Sequence, residues 1–380
     1  MKKTLLPLLS LGSYSSFVVH GLSIKAAPMK MKRHQRKFRF VPYGDVAPVI
    51  TDNDGGGEDN KLIPTIACDG RVKGATLELT HWTDNETPDS LYADTSTEMA
   101  LNFVTTNDKS YAQQYDNAVV LNNHYDTDGV LSSWSCIQQL DEEGITPSWV
   151  SKYKTLLIEG AEAGDFGEWS SDLGVKLDLC IEGIASEASS EEDAYETVLE
   201  TGFLPTLLDD LLTTGGEAYK NLWESGFEHA MQGYKDIQEG RCVLRQGPGK
   251  IVILEESNAR NLSSYALHRG FRENNLWKGT TRILRVTKSS SNESRKYGYQ
   301  YEKIGHGWVK KLVDRYIVPD VDGDLLSDEM NLRCENDSAK WVSGGSSGLV
   351  AICKTRSGTT STMTPDEISN LFLSLDDGAN

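Results

Sequence analysis

Residues 122–133 read Asn-Asn-His-Tyr-Asp-Thr-Asp-Gly-Val-Leu-Ser-Ser, which sets one imidazole and two carboxylates on alternating positions, His124, Asp126 and Asp128. Carboxylate and imidazole donors together suit Mn²⁺, Mg²⁺ or Fe²⁺ rather than a thiolate-seeking ion. One loop supplies too few ligands for a closed site. His81 and Asp165 are the candidates to complete it, with Asp69 a further one. Two such ions roughly 3.5–4 Å apart would acidify a water and clamp an in-line phosphoryl displacement. Asp128 and His81 are expected to carry catalysis, His81 by protonating the leaving group if it is not itself a ligand. Ser132 and Ser133 fall in the first turn of the helix that follows. Either hydroxyl is expected to hydrogen-bond a carboxylate or a phosphate oxygen. Plainer roles exist for the same residues. An Asp-x-Asp-Gly segment also serves as a turn or a cap, and so does Asp165 between Gly164 and Gly167. His81 beside Trp82 fits a hydrogen-bonded structural histidine equally well.

Secondary structure must bring these groups together. The apolar run 118–121 reads as a buried strand, and residues 130–140 as the helix after the loop. Alternation over 76–80 reads as a second strand, ended by His81-Trp82. Thr87-Pro88 reads as a helix start, with Leu91, Thr95, Met99 and Phe103 on one face. Pro147 opens a further helix. Strands alternating with helices build a parallel sheet with right-handed crossovers, and ligands bind beyond the carboxyl ends of its strands. That rule places His81 and the 124–128 loop on one sheet edge.

The pattern changes after residue 240. Hairpins are expected over 243–254 and 282–301, with further strands near 307–309 and 348–353. The expected fold is therefore α/β, a parallel sheet with flanking helices plus a smaller β-rich C-terminal domain. Its parts are 61–240 for the metal-binding domain, 241–360 for the β-rich one, and 361–380 for a polar tail or short helix.

Charge narrows the partners. Residues 1–44 hold nine Lys or Arg and no acid. Removing those nine from the chain's 38 bases leaves 29 against 56 acids, a formal charge of −27 for the rest. Such a body repels duplex nucleic acid and anionic membrane, and points to a small-molecule substrate. No apolar run approaches the ~20 residues of a membrane span. Lys2-Lys3 followed by an uncharged stretch has the layout of a secretory signal. The basic, acid-free block after it looks like a transit peptide. Residues 1–44 are thus expected to be a bipartite presequence for a plastid, with secretion or mitochondrial import as alternatives. Residues 45–60, with Gly55-Gly56-Gly57, read as an acidic flexible linker. The six cysteines form no CxxC pair and read as scattered buried thiols.

His124-Tyr-Asp126-Thr-Asp128-Gly129-Val-Leu-Ser132 resembles the first motif of the DHH phosphoesterase superfamily, which follows a strand and precedes a helix. The resemblance implies that His124, Asp126 and Asp128 are metal ligands in a Mn²⁺-dependent hydrolase of phosphodiesters, pyrophosphate or polyphosphate. The Asp-His-His triplet that names the superfamily is absent from this chain. The wider pattern is similar to an uncharacterised, largely bacterial family. It is carried by Cys68-Asp69-Gly70, Leu79-Thr80-His81-Trp82, Asn123-His124-Tyr125-Asp126, Ala163-Gly164-Asp165-Phe166 and Gly307-Trp308-Val309. That similarity supports His81 and Asp165 and supplies no activity. The expected function is a metal-dependent phosphoesterase of a small phosphorylated or nucleotide-like substrate, with two ions expected if it is catalytic. The alternatives are a non-catalytic ligand- or metal-binding protein with a DHH-like fold, and a hydrolase of other bonds.

Overall fold

A computed structural model describes residues 36–51, 62–82, 85–138, 147–200, 202–256, 262–276, 282–288, 296–304, 323–346 and 350–377. Contacts divide the chain into two units, one ending at Glu228 and the other running from His229.

The first unit is built on a four-stranded parallel sheet, in the order β1-β4-β2-β3. Its strands are β1 (Lys37–Phe40), β2 (Thr65–Cys68), β3 (Leu77–Leu79) and β4 (Val119–Asn122). The two central strands, Thr-Ile-Ala-Cys and Val-Val-Leu-Asn, are buried at every position. Parallel strands covered on both faces carry such continuous apolar runs. The helices of this unit are α1 (Ser96–Thr105), α2 (Lys109–Gln114), α3 (Thr127–Ile137), α4 (Ser148–Phe166), α5 (Asp172–Glu187), α6 (Glu191–Tyr195) and α7 (Phe203–Thr214), and the unit ends within α8 (Lys220–Gln238). α3 packs against α1 and α4, and α4 against α5. Val130, Leu131, Leu157, Leu177 and Ile181 fill those contacts and are fully buried.

The second unit is a six-stranded mixed sheet in the order β5-β6-β7-β8-β10-β9. Its elements are β5 (Cys242–Gln246), β6 (Val252–Glu256), α9 (Ser264–Glu273), β7 (Arg282–Lys288), β8 (Tyr297–Ile304), α10 (Gly323–Arg333), β9 (Trp341–Ser346), β10 (Val350–Thr355) and α11 (Pro365–Asp377). β6 and β7 are parallel, joined through α9, and every other pairing is antiparallel. Tyr301 stacks on Phe372 at 3.9 Å within a core that includes Leu284, Trp341 and Ile368. All six cysteines are buried and free, as the spacing suggests.

The structure corrects several boundaries. Residues 36–44, placed in the expected presequence, are folded into the first unit. β1 is an edge strand of the first sheet, paired along β4, and Val41 N–H donates to Asn122 O at 2.8 Å. Arg36 is buried, and its guanidinium donates to Tyr115 O and Cys136 O, each at 2.7 Å. Residues 45–51 are not linker either, because Ala47 N–H donates to Lys73 O and Ile50 O accepts from Ile63 N–H. The rest of the expected presequence and linker lies outside the described residues, as does the strand near 307–309. Thr87-Pro88 starts no helix. The Thr87 hydroxyl instead donates to Thr80 O at 2.9 Å and accepts from Thr80 N–H at 3.0 Å. The helix begins at Ser96, capped by Thr95. Of the two alternatives expected for residues 361–380, the helix is present as α11, which contributes Ile368 and Phe372 to the second core. No helix among the described residues is long and apolar enough to cross a membrane.

Arg36→Ala removes a charged donor from two buried carbonyls and is expected to cost the fold roughly 2–4 kcal/mol. Denaturant unfolding measures this. A chain shortened to begin at Asp45 also loses β1 and is expected to be less stable than one beginning at Gln35. Equal stability of the two would contradict the role given to β1.

Candidate metal centre

The carboxyl ends of β2, β3 and β4 lie side by side, so the residues that follow them meet. Asp69 follows β2 directly and His81 lies two residues beyond β3. Asn123 and His124 follow β4, Asp126 caps α3, and Asp128 sits in the first turn of α3. Asp165 comes from the last turn of α4. The structure forms two groups from these residues. Asp69, His81, Asp128 and Asp165 make one, and Asp69, His124 and Asp126 make the other. Within each, one ligand atom per residue lies within 4.8 Å of the rest. Asp69 belongs to both.

Asp69 is held in an uncommon conformation. Its φ is +56°, and Gly70 N–H donates to Cys68 O across it at 2.7 Å. Asp and Asn tolerate the left-handed region better than other side chains. Such strain persists only where surrounding contacts enforce it. Here Asp69 N–H donates to Leu79 O and Asp69 O accepts from the Thr80 hydroxyl, both at 3.0 Å. The γ-turn aims the carboxylate between the two histidines.

Hydrogen bonds set both imidazole rings alike. His81 Nδ1 lies 2.8 Å from the carbonyl oxygen of Asp94. A carbonyl only accepts, so Nδ1 carries the proton. Nε2 then faces Asp165 Oδ2 at 3.3 Å and Asp69 Oδ1 at 3.6 Å. His124 Nδ1 donates to Asn123 Oδ1 at 3.0 Å. The amide orientation follows from Asn123 Nδ2, which donates to Arg71 O at 3.0 Å. His124 Nε2 faces Asp126 Oδ2 at 3.0 Å and Asp69 Oδ2 at 3.1 Å. In a neutral ring each Nε2 would turn a lone pair toward two carboxylates. Only a proton or a cation at that point relieves the repulsion. Metal-ligating histidines are characteristically fixed in this way through the other ring nitrogen.

Two helix N-termini secure the carboxylates. Asp128 accepts the backbone N–H groups of Ser96 and Thr97, one on each oxygen, both at 2.7 Å. Ser96 Oγ donates to Asp69 Oδ1 at 2.9 Å. The start of α1 therefore holds two of the site's acids, and its partial positive charge favours them. Asp126 combines the two roles its motif allows. Oδ1 caps α3 by accepting Gly129 N–H at 2.7 Å, while Oδ2 meets His124. Asp165 reaches the cluster because Gly164 lets α4 approach α3. A Cβ at 164 would lie 2.8 Å from Thr127 Cβ.

Neither serine bonds a carboxylate of the site. Ser132 Oγ donates to the carbonyls of Asp128 and Gly129, at 2.6 and 3.2 Å. Ser133 is fully buried, and its hydroxyl bonds no site carboxylate. The residues that the motif did not reveal are Ser96, Thr97, Asn123 and the Asp94 carbonyl.

Burial and crowding separate the acids. Burial alone would raise Asp69, but the His124 hydrogen bond and the charges of both histidines outweigh it and hold the carboxyl down at about 2. Asp128 is pushed up to about 7 by burial and by the Asp69 charge. Asp165 is raised well above the usual carboxylate range by burial and by Asp128 and Asp69. For His124, burial works against the charged form, yet Asp126 and Asp69 raise it well above 6.5.

A family model described as "Family of unknown function (DUF6687)" matches residues 36–367. No curated protein matches the chain. Among solved structures the chain is similar to the pGpG-specific phosphodiesterase PggH from Vibrio cholerae. The identity is 9%, with 84% of this chain and 100% of that one covered, at a TM-score of 0.33. A likeness at that level carries no argument about this chain.

The pKa shifts fix a direction for stability. Asp128 is raised in the fold, so its protonated form favours folding fully below the unfolded carboxyl value of 3.8. That contribution is lost as pH rises through about 7. Asp165 and His124 are raised too and act in the same direction. The cation-free chain is expected to melt lower at pH 8 than at pH 5.5. Mn²⁺ is expected to raise Tm more at pH 8, where no proton competes for the site. Thermal unfolding in chelator and in Mn²⁺ measures both, and an equal Mn²⁺ effect at the two pH values would contradict this account.

Proposed function

The chain belongs to the DUF6687 family of unknown function, and from its own geometry we propose that it is a two-cation phosphoesterase. Its substrate would be a small phosphorylated or nucleotide-like molecule. The observation that carries the reading is Asp69, which turns one carboxylate oxygen to Nε2 of His81 and the other to Nε2 of His124. A carboxylate shared between two preset histidines is the arrangement that a pair of adjacent cations needs. The donor sets are oxygen with one nitrogen each, which favours Mn²⁺ or Fe²⁺, with Mg²⁺ the hard alternative.

Bound cations would supply Lewis acidity toward a phosphoryl oxygen and would acidify a water. This chain's residues do the rest. Asp69 ties the two groups together. Asp128 and Asp165 with His81 enclose one position almost completely. His124 and Asp126 leave the other more open, since the Asp126 side chain is 36% exposed. His81 acts in this reading as a ligand and not as the acid for the leaving group, because both of its ring nitrogens are committed. The negative body of the chain leaves the cations to receive an anionic substrate. The absence of an Asp-His-His triplet supports a second reading, a non-catalytic metal-binding protein with the same centre.

Metal analysis of the purified full chain after Mn²⁺ reconstitution, followed by assay on a phosphodiester and on pyrophosphate, separates these readings. Two ions per chain and Mn²⁺-dependent hydrolysis are expected. Asp69→Asn keeps a residue that tolerates the turn yet lowers affinity for both ions, on the order of 100-fold or more. Two bound ions with no turnover would favour the second reading, and no bound ion would end both.

A further inference from the structure

We propose that Asn123 is the positioning residue of the more open cation position, the one at His124. The inference rests on the two-cation reading above and concerns what makes its two positions unequal.

The histidines are fixed by different chemical means. His81 Nδ1 bonds a backbone carbonyl, which no side-chain substitution removes. His124 Nδ1 bonds the carboxamide of Asn123, a group that a mutation can delete. That carboxamide is itself located. Nδ2 is anchored on Arg71 O, and the residue is only 3% exposed. It also occupies space reserved for it. A Cβ on Gly70 would lie 2.0 Å from Asn123 Oδ1 and 2.7 Å from its Cγ. Gly70 is not among the glycines with positive φ, so the backbone there does not require glycine. The missing side chain is what Asn123 needs. Asn123 thus fills the space beside the turn that carries Asp69 and holds the ring that shares Asp69's second oxygen.

The loop backbone does not depend on this side chain. Asn122 Oδ1 accepts the N–H groups of both Asn123 and His124, at 2.5 and 3.0 Å. Removing the Asn123 carboxamide therefore leaves the chain path supported. What is lost is the partner that keeps the proton on Nδ1 and the lone pair on Nε2. Trp82, whose ring centre is 5.1 Å from that of His124, limits the ring's tilt but cannot choose its tautomer.

The test is a Mn²⁺ titration of the full chain with Asn123→Ala and, separately, Gly70→Ala, which keeps Asn123 but displaces it. In each variant one ion is expected to bind as in the wild type and the other about 10–100-fold more weakly. A second readout is the ring ¹⁵N spectrum of the Zn²⁺-loaded chain, diamagnetic and labelled at histidine. The Nδ1–H of His124 is expected to shift and to exchange faster with solvent in Asn123→Ala, while that of His81 is unchanged. Unchanged affinity for both ions, or equal weakening of both with a matching fall in Tm, would overturn the proposal. A wild-type chain that binds no Mn²⁺ would instead overturn the two-cation reading beneath it.

Discussion

Carboxylates repel one another, and four of them here crowd around two buried imidazoles. Asp69 and Asp128 are almost fully buried, 1% and 0% exposed. The folded arrangement of the first unit can be understood as the means of tolerating that repulsion. Three parallel strands end together, which aims their following residues at one point. Two helices begin there, so backbone N–H groups meet Asp126 and Asp128. Both histidines are turned with Nε2 inward. Each device lowers the cost of the negative charge, and none cancels it, because Asp128 and Asp165 are still driven toward their neutral forms.

The centre was largely legible in the sequence, although its hub was not. The 124–128 loop announces itself by spacing, and the strand–helix order was enough to bring His81 to it. Asp165 followed from a glycine-bounded turn. Asp69 stood only as a further candidate, because it follows Thr65–Cys68, four residues too short to show a period. Its importance comes from a turn conformation and from lying between two strand ends, neither of which a pattern of residue types displays. The bonds from Ser96 and Thr97 were hidden by starting their helix at Pro88. Thr95 and Glu98, three apart, form the reciprocal cap that marks the true start. The same pattern recurs before α11, where Thr364 and Glu367 bond one another's backbone.

The strand β1 was hidden for a different reason. Lys-Phe-Arg-Phe alternates as an edge strand should, with exposed and half-buried positions in turn. It lies in a stretch so rich in basic residues that composition points to a targeting segment. Edge strands often carry charge on their open face, which blunts pairing with other chains. A basic edge strand and a basic leader therefore look alike by composition, and only pairing with β4 distinguishes them. The second unit was read in part: the β5–β6 and β7–β8 pairs are the antiparallel ones expected over 243–254 and 282–301, whereas α9 and α10 were not anticipated.

The γ-turn at Asp69 also shapes how this centre can change over generations. The position asks for two properties at once, a backbone comfortable at φ +56° and two anionic oxygens close to the main chain. Glycine and asparagine meet the first requirement, and glutamate meets only the charge. Aspartate alone meets both. Asparagine keeps the turn and gives up the charge, and glutamate keeps the charge and gives up the turn. A lineage that drifts at this residue therefore surrenders one of the two properties at the first substitution, and the fold around it can persist after the carboxylate that joins the two groups has gone.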